Sequence, residues 1–228
     1  TLTKNRNQTP DLHHLLFHEL RNQLMILGGY TELLHQDPAR RDADHCMGAI
    51  YRSSNYLQNL AEEVLLIRQV EDGQLSLERE YFPIEDLIAD IIKVYKTPAR
   101  EKAVQLRYLI TTRQPTVNLN RLAAKIILSA LVDNSLKYGP AGQTITLSCL
   151  ASEDRIELVV ADQGPGIAIE EQERIFDPYY RSDTADDKPR GSGLGLHAVR
   201  VLARAMDGDV SVESQIGGGS HFRVKLPA

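Results

Sequence analysis

The sequence predicts an α+β chain: a helical hairpin that pairs with a second copy as a four-helix bundle, followed by an α/β sandwich. Two observations predict it. Leu12, Leu15, Leu16, Leu20, Leu24, Leu27 and Leu34 recur at helical spacing, and a second apolar series follows the break at Asp37 and Pro38. Beyond Gly73 the pattern changes to short alternating segments and helices divided by glycine-rich turns.

Taken in order, the first helix covers residues 11–36. The second carries Met47, Ile50, Leu57, Leu60, Ala61, Val64, Leu65 and Ile67, and Glu71, Asp72 and Gly73 end it. Two helices cannot enclose a wide apolar stripe alone, so a second copy is expected to cover it, giving a homodimer. Residues 1–73 therefore read as one domain and 74–228 as another. The second domain opens with a strand at 77–82, a helix at 84–100, a strand at 104–110 and a short strand piece at Val117. A strongly apolar helix over 121–137 precedes alternating strands at 144–150 and 156–161. A helix at 195–206 leads to closing strands at 209–214 and 220–226, joined by 215–219. Helices set apart from antiparallel hairpins give the sandwich. The polar segment 182–189 reads as a mobile loop beside a site.

A chain of 228 residues suits two modest domains, and the absence of Trp with only four Phe predicts an aliphatic core. The formal charge of -5 excludes broad attraction to nucleic acid, so any phosphate site is local. Cys46 and Cys149 form no CxxC pattern, which excludes a disulfide framework or zinc cluster and predicts a reducing compartment. No stretch approaches the roughly 20 apolar residues needed to cross a bilayer, so this segment is expected to make no membrane contact. The first residue is Thr, and the expectation is a fragment whose sensor or membrane portion lies outside it.

Four residue groups could carry chemistry. The first is His18-Glu19 with Asn22 one helical turn further along the same face. Neutral imidazole is a competent nucleophile, and an adjacent carboxylate can accept the proton from one ring nitrogen while the other keeps its lone pair. A lone histidine on a polar helix face is more often only a surface residue. The zinc-protease pattern HExxH fails here, because its fifth position is Asn22. The second group, Asp133-Asn134-Ser135-Leu136-Lys137-Tyr138, puts polar residues at the end of an apolar helix, where a simple helix terminus with a favourable Lys is the alternative. The third, Asp162-Gln163-Gly164-Pro165-Gly166-Ile167, follows a strand; its Asp can accept a hydrogen bond from an exocyclic amine, or the run is only a turn. The fourth, Gly191-Ser192-Gly193-Leu194-Gly195-Leu196, precedes a helix and frees backbone amides for a phosphate, with Arg181, Lys188 and Arg190 nearby. It is neither the dinucleotide fingerprint nor a GxxxxGK[ST] phosphate loop. Gly217 and Gly218 read as a hairpin turn.

The order of these groups, with Phe176-Asp177-Pro178-Tyr179-Tyr180 between the third and fourth, resembles the sensor histidine kinases over nearly the whole chain. In that family a dimerization and phosphoacceptor hairpin precedes an ATP-binding domain of the gyrase, chaperone, kinase and mismatch-repair type. The resemblance implies that His18 is phosphorylated with help from Glu19, and that Asn22 positions water when phosphatase activity occurs. It implies that Asn134 holds Mg2+, that Lys137 and Tyr138 meet ATP, and that Asp162 selects adenine. Gly164, Gly166 and Ile167 belong to the first glycine box; Gly191, Gly193, Leu194 and Gly195 belong to the lid that folds over the phosphates, with Arg181 a further phosphate contact. The implied partner is a response-regulator receiver domain, and the implied location is the cytoplasm. The competing readings are a nucleotide-binding pseudokinase or scaffold, and an ATPase that uses water as acceptor.

Two positions depart from the family pattern. Gln23 stands where the phosphoacceptor box usually has Pro, which predicts a helix without the usual bend. Ala130 stands where the asparagine box often has an earlier Asn, which removes one polar group and predicts slower autophosphorylation or altered metal affinity.

Overall fold

The computed structural model describes residues 12–38, 42–74, 77–112, 116–152, 154–180 and 193–228. The chain packs as two units, residues 1–65 and 66–228. The first holds α1 (Leu12–Gln36) and most of α2 (Ala43–Glu71). Along α1 the covered positions Leu16, Leu20, Gln23, Leu27, Tyr30 and Leu34 alternate spacings of four and three, as do Cys46, Ile50, Ser53, Leu57 and Leu60 along α2. Tyr30 meets the edge of the His45 ring at 5.9 Å. Gln23, at the departure from Pro, is 5% exposed and sits inside a helix that runs uninterrupted. Phe17, Leu24, Met25, Met47 and Tyr51 stay exposed, more apolar surface than a solvated hairpin normally shows.

The second unit begins inside α2, whose Leu66 and Val70 pack on its core. A two-stranded antiparallel ribbon pairs β1 (Glu80–Pro83) with β3 (Thr116–Leu119), Phe82 opposite Val117. The main sheet runs β2 (Gln105–Thr112), β4 (Thr144–Ala151), β5 (Arg155–Asp162), β7 (Ser220–Pro227) and β6 (Asp209–Ser214). The core joins one face of this sheet, including Leu147, Leu158, Phe222 and Val224, to α3 (Ile84–Glu101), α4 (Arg121–Tyr138) and α5 (Gly195–Ala205). Strand β7 alternates buried and more exposed residues, as a sheet with one covered face requires.

One pairing differs from the expected antiparallel hairpins. Strands β2 and β4 run parallel, because β3 and α4 lie between them in sequence and carry the chain back to the same end of the sheet. The sheet is therefore mixed. Helix α4 is capped by Asn120, whose side-chain oxygen accepts from Ala123 N at 2.8 Å. Tyr95 on α3 donates to Ser129 O at 3.0 Å; burial, then the Asp133 charge, pushes its phenol up to about 12. Cys46 and Cys149 are buried free thiols, and burial with Glu85 nearby pushes Cys149 up to about 12, so it stays protonated at neutral pH. Among the described residues no helix is long and apolar enough to cross a membrane.

Candidate functional site

Asp162 ends β5 with its residue only 9% exposed. A buried carboxylate needs donors, and three elements supply them. Oδ1 accepts from Gly164 N at 2.8 Å and from Ser220 N at 3.2 Å, while Oδ2 lies 3.1 Å from the Ser135 hydroxyl of α4. Ser135 Oγ is also 3.0 Å from Leu131 O, so its single hydrogen has two acceptors to choose between. Gln143, also buried, donates to Ser135 O at 2.7 Å and accepts from Gln163 N at 3.1 Å. The asparagine segment of α4 and the turn after β5 are thereby brought together.

The first and last glycine turns are tied to each other. Ile167 N donates to Ser214 Oγ at 2.8 Å, Gly217 N donates to Pro165 O at 2.7 Å, and Gln172 Nε2 donates to both Ile167 O and Ser214 O. Gly166 has φ +75, and a Cβ there would lie 2.0 Å from Gln215 O. Residues 215–219 join β6 to β7 as the expected hairpin turn, yet Gly219 also touches the site: at φ +80, a Cβ would lie 2.1 Å from Asp162 O. Gly219→Ala is expected to destabilise the second unit by about 2 to 5 kcal/mol, from left-handed backbone strain plus overpacking. Gly217→Ala, with φ +77 but no atom within 4 Å of its Cβ, is expected to cost only about 1 to 2 kcal/mol. Urea unfolding of the two variants checks the contrast, and equal midpoints would contradict it.

On the last turn of α4, Asn134 is half-buried and Lys137 Nζ lies 5.4 Å from the Tyr138 ring. Asp133 faces outward, but desolvation at its carboxyl raises its pKa, against the opposing pull of Lys137 and Lys102. Ala130 packs against the apolar core rather than presenting a polar group. Gly193 and the buried Leu194 lead into α5, which Gly195 begins, so backbone amides of a helix N-terminus open this segment. Gly191, Arg181 and the loop 182–189 lie outside the described residues. His18 and Glu19 fall on α1, but their side chains also lie outside the described ones; Asn22, half-buried, is one turn further on.

Sequence reasoning gave no role to Ser135, although it lies within the recognised 133–138 segment, and missed Gln143, Gln172, Ser214, Gly219 and Ser220. Each is a polar residue or glycine in or near a recognised segment, which is common around any turn.

Residues 120–228 match the family described as histidine kinase-, DNA gyrase B-, and HSP90-like ATPase. The chain is 30% identical over 213 residues to the histidine protein kinase DivJ of Caulobacter vibrioides, an alignment of 92% of this chain and 36% of that protein. It thus spans about a third of that relative's length. Two solved structures share the fold. The histidine kinase AdeS of Acinetobacter baumannii matches with TM-score 0.76 at 24% identity, covering 92% of this chain and 97% of that one. The histidine kinase ThkA, solved in complex with the response regulator protein TrrA, matches with TM-score 0.69 at 21% identity, covering 92% of this chain and 59% of that one. Residues 120–228, which hold α4, β5 and the glycine turns that surround Asp162, thus match the histidine kinase-, DNA gyrase B-, and HSP90-like ATPase family, and 92% of the chain is similar to part of a histidine protein kinase.

Proposed function

We propose that the chain is the catalytic core of a sensor histidine kinase, which uses ATP and Mg2+ to phosphorylate His18 and passes the phosphoryl group to an aspartate of a response-regulator receiver domain. The observation that carries this reading is the Asp162 carboxylate, held by Gly164, Ser220 and Ser135 inside the segment that matches the ATPase family. A carboxylate oxygen fixed this way presents a ready acceptor to the exocyclic amine of adenine.

In this reading Lys137 and Tyr138 meet the nucleotide, Ile167, Gly164 and Gly166 shape the adenine side, and Gly191, Gly193, Leu194, Gly195 and Arg181 receive the phosphates. The Asn134 amide oxygen is a hard donor of the kind Mg2+ takes alongside waters and phosphate oxygens, so a single protein ligand suffices there. The ion, when bound, offsets charge on the phosphates. A ring nitrogen of His18 attacks the γ-phosphorus through its lone pair, the bond to the β-phosphate oxygen breaks, ADP leaves, and Glu19 takes the other ring proton. Asn22 orients water when the phosphorylated partner is hydrolysed.

The exposed apolar residues of α1 and α2 support a homodimer in which two hairpins form a four-helix bundle. We place the functional boundary at the end of α2, with residues 1–73 as dimerization and phosphoacceptor domain and 74–228 as catalytic domain. Two buried free thiols fit a cytoplasmic setting. Ala130, partly buried and packed against the core where a polar side chain is expected, favours a second reading as a nucleotide-binding scaffold without phosphotransfer. Incubation with γ-labelled ATP and Mg2+, followed by a panel of purified receiver domains, separates them. Label that enters the chain and then moves to a receiver supports the kinase, whereas nucleotide binding without label supports the scaffold. Released phosphate with no labelled protein supports the water-using ATPase.

A further inference from the structure

The segment that precedes the second glycine run is fastened to one side of α5 by more than backbone bonds. Arg200, its side chain 12% exposed, donates to Glu173 Oε1 at 2.9 Å and to Asp177 Oδ1 at 2.7 Å, spanning the turn Arg174–Phe176 that lies between them. Its guanidinium also lies 5.4 Å from the centre of the Phe176 ring, which is 1% exposed. One turn earlier on α5, His197 Nδ1 sits 3.1 Å from Phe176 O; a carbonyl only accepts, so this nitrogen carries the proton. Two residues beyond Asp177, Tyr179 holds φ +60, a left-handed conformation that an aromatic side chain rarely adopts. Its N–H donates to Gly193 O at 2.9 Å, directly ahead of α5.

Strained backbone persists where its surroundings over-determine it, and such residues cluster at ligand clamps. Here the surroundings are the two carboxylates that Arg200 grips and the carbonyl that His197 holds. Loss of the grip frees the turn to relax at Tyr179 and to drop the bond to Gly193, whose carbonyl and φ +73 set the path of the chain into Gly195.

We infer that Arg200 is a positioning residue of the nucleotide site: through Glu173 and Asp177 it fixes the Tyr179–Gly193 junction and so the backbone amides at the start of α5. This rests on the nucleotide-binding reading above. Arg200 bonds Glu173 and Asp177 and acts on the amides that would meet a phosphate.

The test measures the affinity of the full chain for a non-hydrolysable ATP analogue by calorimetry, well below the melting temperature. Arg200→Met is expected to weaken binding about tenfold, and Arg200→Lys only about threefold, because a lysine keeps the charge but not the two-pronged geometry. Asp177→Asn is expected to weaken binding by itself and to add little in the Arg200→Met background, as residues acting through one contact do. A purely stabilising Arg200 would lower the melting temperature of Arg200→Met and leave its affinity at the wild-type value, which overturns the inference. Full additivity of the two substitutions also overturns it. Should Arg200→Met fail to fold, Asp177→Asn and Glu173→Gln carry the test, since those side chains are 55% and 87% exposed, and unchanged affinity in both is the contrary result. A wild-type chain that does not bind the analogue contradicts the nucleotide-binding reading itself, a distinct failure.

Discussion

Asp162→Asn is expected to lower nucleotide affinity at least about a hundredfold while shifting the melting temperature by only a few degrees. The asymmetry follows from the hydrogen bonds around the carboxylate. An Asn in the same place keeps an oxygen toward Gly164 N and Ser220 N, and its new NH2 faces the Ser135 hydroxyl. Ser135 can turn its hydrogen fully to Leu131 O, 3.0 Å away, and accept from that amide. The fold therefore loses little. The nucleotide loses more, because one of the two carboxylate acceptors has become a donor, which repels an adenine amine, and the negative charge is gone. A site built to bond a particular ligand group discriminates by several kcal/mol when that bond cannot form. Titration with a fluorescent ATP analogue, beside a thermal melt, checks both halves. Unchanged affinity would remove Asp162 from the site, and collapse of the fold would show that its role is structural.

Much of the architecture was legible because its periodicities are strong and its breaks are marked. The helix expected at 84–100 is Ile84–Glu101, and the strand expected at 209–214 is Asp209–Ser214. Alternation and turn residues act locally, so a single sequence carries them. Strand β1 begins later than expected: Arg79 is spent on Asn118 O and Pro227 O, and the ladder starts at Glu80. Such a contact spans 148 residues in the second case and leaves no local trace. The parallel pairing of β2 with β4 was hidden for a related reason, since strand direction depends on which connection α4 makes. At the site, Asp162 was visible because an acid followed by two glycines at a strand end is a recognisable pattern. Ser135 was not, because its bond to Asp162 joins residues 27 apart through tertiary packing alone. Gly219 carries no local mark that sets it apart from Gly217 and Gly218, because its approach to the Asp162 carbonyl is tertiary.

The second large effect concerns His18. Its substitution by Ala removes the only nucleophile that the proposed chemistry uses, while the residues around Asp162 belong to the other packing unit and are untouched. His18→Ala is therefore expected to bind ATP with wild-type affinity and to form no phosphoprotein. His18→Gln, which puts a polar amide of similar size in place of the ring and has no nucleophilic ring nitrogen, is expected to behave the same way. That pairing of intact binding with absent transfer separates a lost acceptor from a damaged site.

The measurement that bears most directly on the account is the yield and acid lability of label from γ-labelled ATP in the wild-type chain and in His18→Ala. The account predicts a label in the wild type that acid removes and base spares, as a phosphorus–nitrogen bond requires, and none above background in the variant. Label retained in His18→Ala, or a wild-type label stable to acid, would contradict it.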